Sequence, residues 1–61
     1  MSQQFTDGDI RAMLEHCSDF TERLSAWERG FIESIAEQFE QRGALSEKQQ
    51  ETLDRIYTKL P

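Results

Sequence analysis

The sequence predicts an all-α protein, a small three-helix bundle whose last two helices form an antiparallel hairpin. Three observations carry this. Apolar residues recur at the i, i+3, i+4 spacing of helix faces, and no stretch keeps the period of two that a strand requires. Two capping boxes, Ser25 with Glu28 and Ser46 with Gln49, mark helix starts. Gly43 fits the left-handed position that ends a helix, and the one proline is Pro61.

The first helix is expected over roughly residues 7–17. Thr6 is its N-cap, and Asp7 and Asp9 put negative charge in the first turn, where the helix dipole favours it. Phe5 and Ile10 stand at the two positions of a hydrophobic staple. Ile10, Met13, Leu14 and Cys17 then make one apolar stripe. In "SDFT", Ser18, Asp19 and Thr21 compete for backbone hydrogen bonds and interrupt the helix, while Phe20 and Leu24 point inward. The second helix covers roughly 26–42. Its row Trp27, Phe31, Ile35, Phe39, with Ile32 and Ala36 beside it, is the heaviest apolar surface of the chain and is expected to hold both other helices. The third covers roughly 47–59, with Leu53, Ile56, Tyr57 and Leu60 as its stripe. The loop between the second and third is short, hence the hairpin. Residues 1–61 form a single helical domain in this reading.

A chain of 61 residues buries only about 60% of the surface it exposes when unfolded, so a monomer is feasible and weak homodimerisation would add to its stability. The net charge of −5 argues against a general nucleic-acid binder, whose footprint is a basic domain. One cysteine excludes an internal disulfide, and no Cys–Cys or Cys–His spacing suits zinc. The opening "MSQQFTDGD" has no basic residue and no apolar stretch, and no apolar run approaches the roughly 20 residues of a membrane span. A cytoplasmic protein is expected.

The phrases "WERGFIESIAEQ" and "LSEKQQETLDRIY" resemble a short helical module of phage and bacterial DNA-metabolism proteins, with the pattern W-E-x-x-F-[IL]-x-S-I followed by L-S-x-K-Q-x-x-x-L-x-x-I. Similar modules lie beside or are fused to phage UvsW-type recombination helicases. The resemblance covers about Leu24 to Lys59. It implies an accessory role in recombination, repair or replication, and it brings no catalytic residues.

Other constellations are weak. Glu33, Glu37 and Glu40 form an acidic stripe on the second helix, but di-metal bundles need Glu-x-x-His pairs and the one histidine, His16, lies elsewhere. His16 and Cys17 are neighbours and diverge by about 100° on a helix, so they make no nucleophile–base pair; Cys17 is expected in the core and His16 in solvent. No Gly-rich phosphate loop exists. No catalytic residue, metal or cofactor is therefore assigned, and an enzyme is not expected. Trp27 is expected to close one end of the core, with an exposed interface anchor as the alternative. Ser46 and Gln49 are accounted for by capping.

The third helix sorts its charge. Lys48, Arg55 and Lys59 lie at i, i+7 and i+11 on one side, and Glu47, Glu51 and Asp54 on the adjacent side. Two functional readings follow. The first is a non-catalytic protein-interaction module of DNA metabolism using Lys48, Arg55, Lys59, Trp27 and Tyr57, with weak or no direct nucleic-acid contact. The second is a small acidic phage-type inhibitor that covers a basic, nucleic-acid-binding surface of a host protein with Glu33, Glu37 and Glu40.

Overall fold

Thr6, Ser25 and Ser46 each accept a hydrogen bond from the backbone N–H three residues on, and in each case that residue's side chain returns to the cap's own N–H. These three reciprocal boxes start the three helices of the computed structural model, which describes residues 5–61. They are α1 (Asp7–Asp19), α2 (Ala26–Arg42) and α3 (Glu47–Thr58), with a 3-10 turn at Thr21–Arg23 between the first two. No strand occurs among the described residues, and the first four residues of the expected 1–61 domain lie outside them. In the box at Thr6 the reciprocating group is the Asp9 carboxylate, 3.3 Å from Thr6 N, in place of the usual Glu or Gln. Gly43 ends α2 at φ 72°, its N–H bonding the carbonyl of Phe39. α1 runs two residues past Cys17, taking in Ser18 and Asp19 before Phe20 ends it.

All three helices touch one another within a body of 29 × 25 × 18 Å. α1 supplies Ile10, Met13, Leu14 and Cys17 to the core, α2 supplies Ile32, Ile35 and Phe39, and α3 supplies Leu53 and Ile56; Leu24 and Leu45 close it from the connectors. Phe5 and Phe20 are half-buried, Phe5 packing against the core.

The second helix touches both neighbours, as expected, but the expectation that it does so with one broad row is corrected. The most extensive helix contact is α1 with α3. On α2 the row does not stay on one face: Ile35 and Phe39 are buried, Phe31 is half-buried, and Trp27 is 64% exposed. At 3.6 residues per turn, each i+4 step advances about 40° around the axis, so Trp27 stands about 120° from Phe39. Ile32 takes the core position instead.

Gln50 is the one buried polar side chain among the described residues. Its Oε1 accepts the N–H of Phe5 at 3.0 Å, and its Nε2 donates to the carbonyl of Leu45 at 3.0 Å. One amide thus ties the segment entering α1 to the loop entering α3. Both halves of the amide are satisfied, which is what makes its burial affordable.

Candidate partner-binding surface

Trp27 is the second residue of α2, one turn before Phe31. Because the row drifts outward toward the helix start, the indole leaves the core, and the expectation that it closes the core's end is corrected. It lies on Phe31 with ring centroids 5.3 Å apart and planes within 10° of parallel. Phe31 itself packs against the core, so the exposed indole rests on a supported ring. Trp27 is the one large hydrophobic side chain that is exposed among the described residues.

Beside it is a groove of about 370 Å³ lined by Trp27 and Glu28 of α2, by Thr52, Arg55 and Ile56 of α3, and by Lys59 just past its end. Ile56 is buried and makes an apolar base. Thr52 turns its hydroxyl back to the carbonyl of Lys48 at 3.0 Å, so that donor is satisfied within the helix. Lys48 stands on the same side of α3, one turn before Thr52, and is exposed but does not line the groove.

Charge in the groove is partly internal. Lys59 Nζ pairs with Glu28 Oε2, the one ion pair among the described residues. The other oxygen of Glu28 accepts the N–H of Ser25 at 2.8 Å as part of the capping box. The bond from Lys59 and then that from Ser25 hold the Glu28 carboxyl below its ordinary range, so it stays ionised at neutral pH. Arg55 forms no ion pair among the described residues and is the groove's uncompensated cation.

Three of the five residues expected at a partner face, Trp27, Arg55 and Lys59, therefore meet in one groove. Tyr57 does not join them. It sits two residues after Arg55, about 200° around the helix, and is half-buried with its ring edge-on to His16 at 5.1 Å. His16 was expected in solvent and is corrected to half-buried: it packs between Tyr57 and Phe20, the latter at 4.8 Å. Its Nε2 lies 2.8 Å from the carbonyl oxygen of Pro61, which requires that nitrogen to carry the proton.

The remaining reactive groups have separate surroundings. Cys17 is fully buried, and burial first, then the negative charge of Glu28, pushes its thiol up. Glu33, Glu37 and Glu40 are all exposed. No three His, Cys, Asp or Glu side chains gather into a metal-sized cluster among the described residues. No described helix is long and apolar enough to cross a membrane. Gln49 does more than cap: it exchanges hydrogen bonds with Gln38 of α2 at 3.1 and 3.2 Å.

Compared with known proteins, the chain matches no family model, and no similar curated protein or solved structure is found.

Proposed function

We propose that this chain is a non-catalytic accessory module that works by protein–protein contact, with Trp27 as its apolar anchor and Arg55 as the adjoining charge. The observation that carries the reading is the 64% exposure of Trp27 on a supported ring beside a groove. An indole left in water by a domain that needs every apolar side chain it has is unspent binding surface, and Trp and Arg are the residues most enriched among interface hot spots. The setting in phage or bacterial DNA metabolism rests on the resemblance of residues 24–59 to that helical module. The partner meets Arg55 and Lys48 with carboxylates and inserts an apolar group beside the indole.

The finer architecture belongs to the same reading. α2 and α3 form an antiparallel hairpin, supported by two contacts that run in opposite senses: Glu28 near the start of α2 reaches Lys59 past the end of α3, and Gln38 near the end of α2 reaches Gln49 near the start of α3. The module works as a cytoplasmic monomer or weak homodimer, without a cofactor.

The exposure of Glu33, Glu37 and Glu40 favours a second reading, the acidic inhibitor of a basic, nucleic-acid-binding host surface. Affinity capture from the native cell, with wild type and Trp27→Ala in parallel, tests the first. Recovery of a recombination, repair or replication protein by wild type, lost with Trp27→Ala, is the expected result. A partner retained by Trp27→Ala, or one from an unrelated process, defeats it.

A further inference from the structure

Between α1 and α2 lies a second groove, of about 500 Å³, within the size range of ligand clefts. Leu14, Ala36 and Phe39 form its floor. Glu15 from α1 and Glu37 and Glu40 from α2 form its rim, all three exposed. Ala36, half-buried, contributes only a methyl group to that floor, so a longer side chain there would take up part of the groove. The one cation here is Arg11, whose guanidinium carbon lies 5.6 Å from the centroid of the Phe39 ring.

We propose that this groove binds a short basic amphipathic segment of a partner protein, seating an apolar residue over Ala36 and its lysines or arginines among Glu15, Glu37 and Glu40. Charge complementarity selects the occupant. Three carboxylates outnumber one guanidinium: Glu37 and Glu40 make the α2 wall acidic, while Glu15 and Arg11 offset each other on α1, so a basic segment is attracted chiefly from the α2 side and nucleic acid is repelled. The carboxylates do not converge on a metal-sized point, as the absence of such a cluster among the described residues records. Arg11 also shows that the Phe39 face accepts a guanidinium, the geometry of a cation–π contact that an incoming arginine reproduces or displaces. An amphipathic helix laid in a groove needs this combination of apolar floor and charged rim.

The site is independent of the Trp27 surface. Ala36 is nine residues after Trp27, about 180° around α2, so the two lie on opposite sides of the helix. The module then has two faces of opposite chemistry, one for an acidic partner segment and one for a basic segment.

The test is a titration of isotope-labelled protein with a synthetic leucine–lysine amphipathic peptide and with a scrambled peptide of identical composition, followed by NMR. The amphipathic peptide should shift the amides of Arg11, Glu15, Ala36, Glu37 and Glu40 and leave Trp27 and Arg55 unmoved; the scrambled peptide should bind at least about tenfold more weakly. Ala36→Leu, which fills the floor and keeps every charge, should weaken binding by a similar factor, as should Glu37→Gln with Glu40→Gln. Trp27→Ala should bind the peptide like wild type. Equal binding of both peptides reduces the groove to a diffuse acidic field and overturns the proposal. Shifts centred on Trp27 overturn it as well. So do shifts at the groove that grow with protein concentration when no peptide is present, which would make a second copy of the chain the occupant. The peptide comparison uses wild-type protein alone, so a variant that misfolds does not remove the test.

Discussion

Trp27 lies flat on Phe31, and the two rings divide the work of one aromatic pair: Phe31 touches the core and Trp27 faces water. Their truncations should therefore separate stability from binding. Trp27→Ala should cost at most about 0.5–1.5 kcal/mol, the worth of a stacked aromatic pair. Ile35→Ala, at a position only 1% exposed, should cost about 2–5 kcal/mol, enough to unfold a domain with so small a core. Phe31→Ala should fall between them. Thermal melts of the three variants check the order. A Trp27→Ala melt as low as that of Ile35→Ala would place the indole in the core.

Gln50 gives a second prediction. Replacing it with Ala strands the Phe5 N–H and the Leu45 carbonyl, and an unsatisfied buried polar group costs about 1–3 kcal/mol. Hydrogen exchange at the Phe5 amide should become fast in Gln50→Ala while amides in the middle of α2 keep their protection relative to global stability. Unchanged exchange at Phe5 would mean the clamp does not hold in solution.

Much of this fold was legible in the sequence because helix caps are local. Ser25 with Glu28 and Ser46 with Gln49 lie three residues apart, and each pair acts within a single turn, so no knowledge of the rest of the chain is needed. Asp9 completing the box at Thr6 escaped because aspartate is not the usual partner in that motif. Trp27 escaped for a geometric reason: i+4 spacing reads as a straight row in sequence but winds around the helix in space. Gln50 and the acid-rimmed groove are non-local, since each joins residues from different helices or loops. The sequence signal for Gln50 was its place three residues before Leu53 on the buried stripe, a poor place for an amide unless both its ends are bonded. Arg55 and Lys59 were recognised as a stripe, but only the fold sets Trp27 beside them and Tyr57 away.

The two glycines of α2 and its end should respond in opposite directions. Gly30 lies inside the helix, exposed, and an added Cβ would meet nothing within 4 Å. Gly30→Ala should therefore raise stability by about 0.8–1 kcal/mol through helix propensity alone. Gly43 holds φ 72°, a conformation costing an L-residue roughly 1–2 kcal/mol, so Gly43→Ala should lower the melting temperature. A lowered melt for Gly30→Ala would show that something packs against that face.

Glu28 fixes the sign of one pH effect. Its folded-state pKa is depressed, first by the bond from Lys59 and then by the Ser25 N–H, so the ionised carboxylate is favoured by folding. The stability it contributes is fully present above the unfolded carboxylate's pKa and is lost as pH falls through the lowered folded value. Wild type should melt above Glu28→Gln at neutral pH, and the gap should close in acid. Glutamine keeps an acceptor for Ser25, so the difference reports the carboxylate's charge and its pairing with Lys59. A gap that persists unchanged at low pH would assign the effect to the cap geometry instead.

The basic stripe carries the last prediction. Lys48, Arg55 and Lys59 together neutralise at most about three phosphates, which gives a log–log salt slope of only about −2 to −3 for any DNA contact. Lys59 is already paired with Glu28, and the net charge of −5 repels the duplex, so useful DNA affinity at physiological salt is not expected. A protein surface carrying carboxylates suffers no such dependence on phosphate count, because the indole of Trp27 adds apolar contact that salt does not screen. Reversing Lys48, Arg55 and Lys59 to Glu should leave the helical circular dichroism intact and abolish capture of the native partner. Reversing Glu33, Glu37 and Glu40 to Lys should affect that capture far less, since those residues project from a different part of α2. If the Glu33/Glu37/Glu40 reversal loses the partner and the Lys48/Arg55/Lys59 reversal keeps it, the inhibitor reading replaces the anchor reading. Tight, sequence-specific DNA binding by the wild-type protein would defeat both, because neither an acidic face nor Lys48 and Arg55 beside an already paired Lys59 supply the contacts that base readout requires.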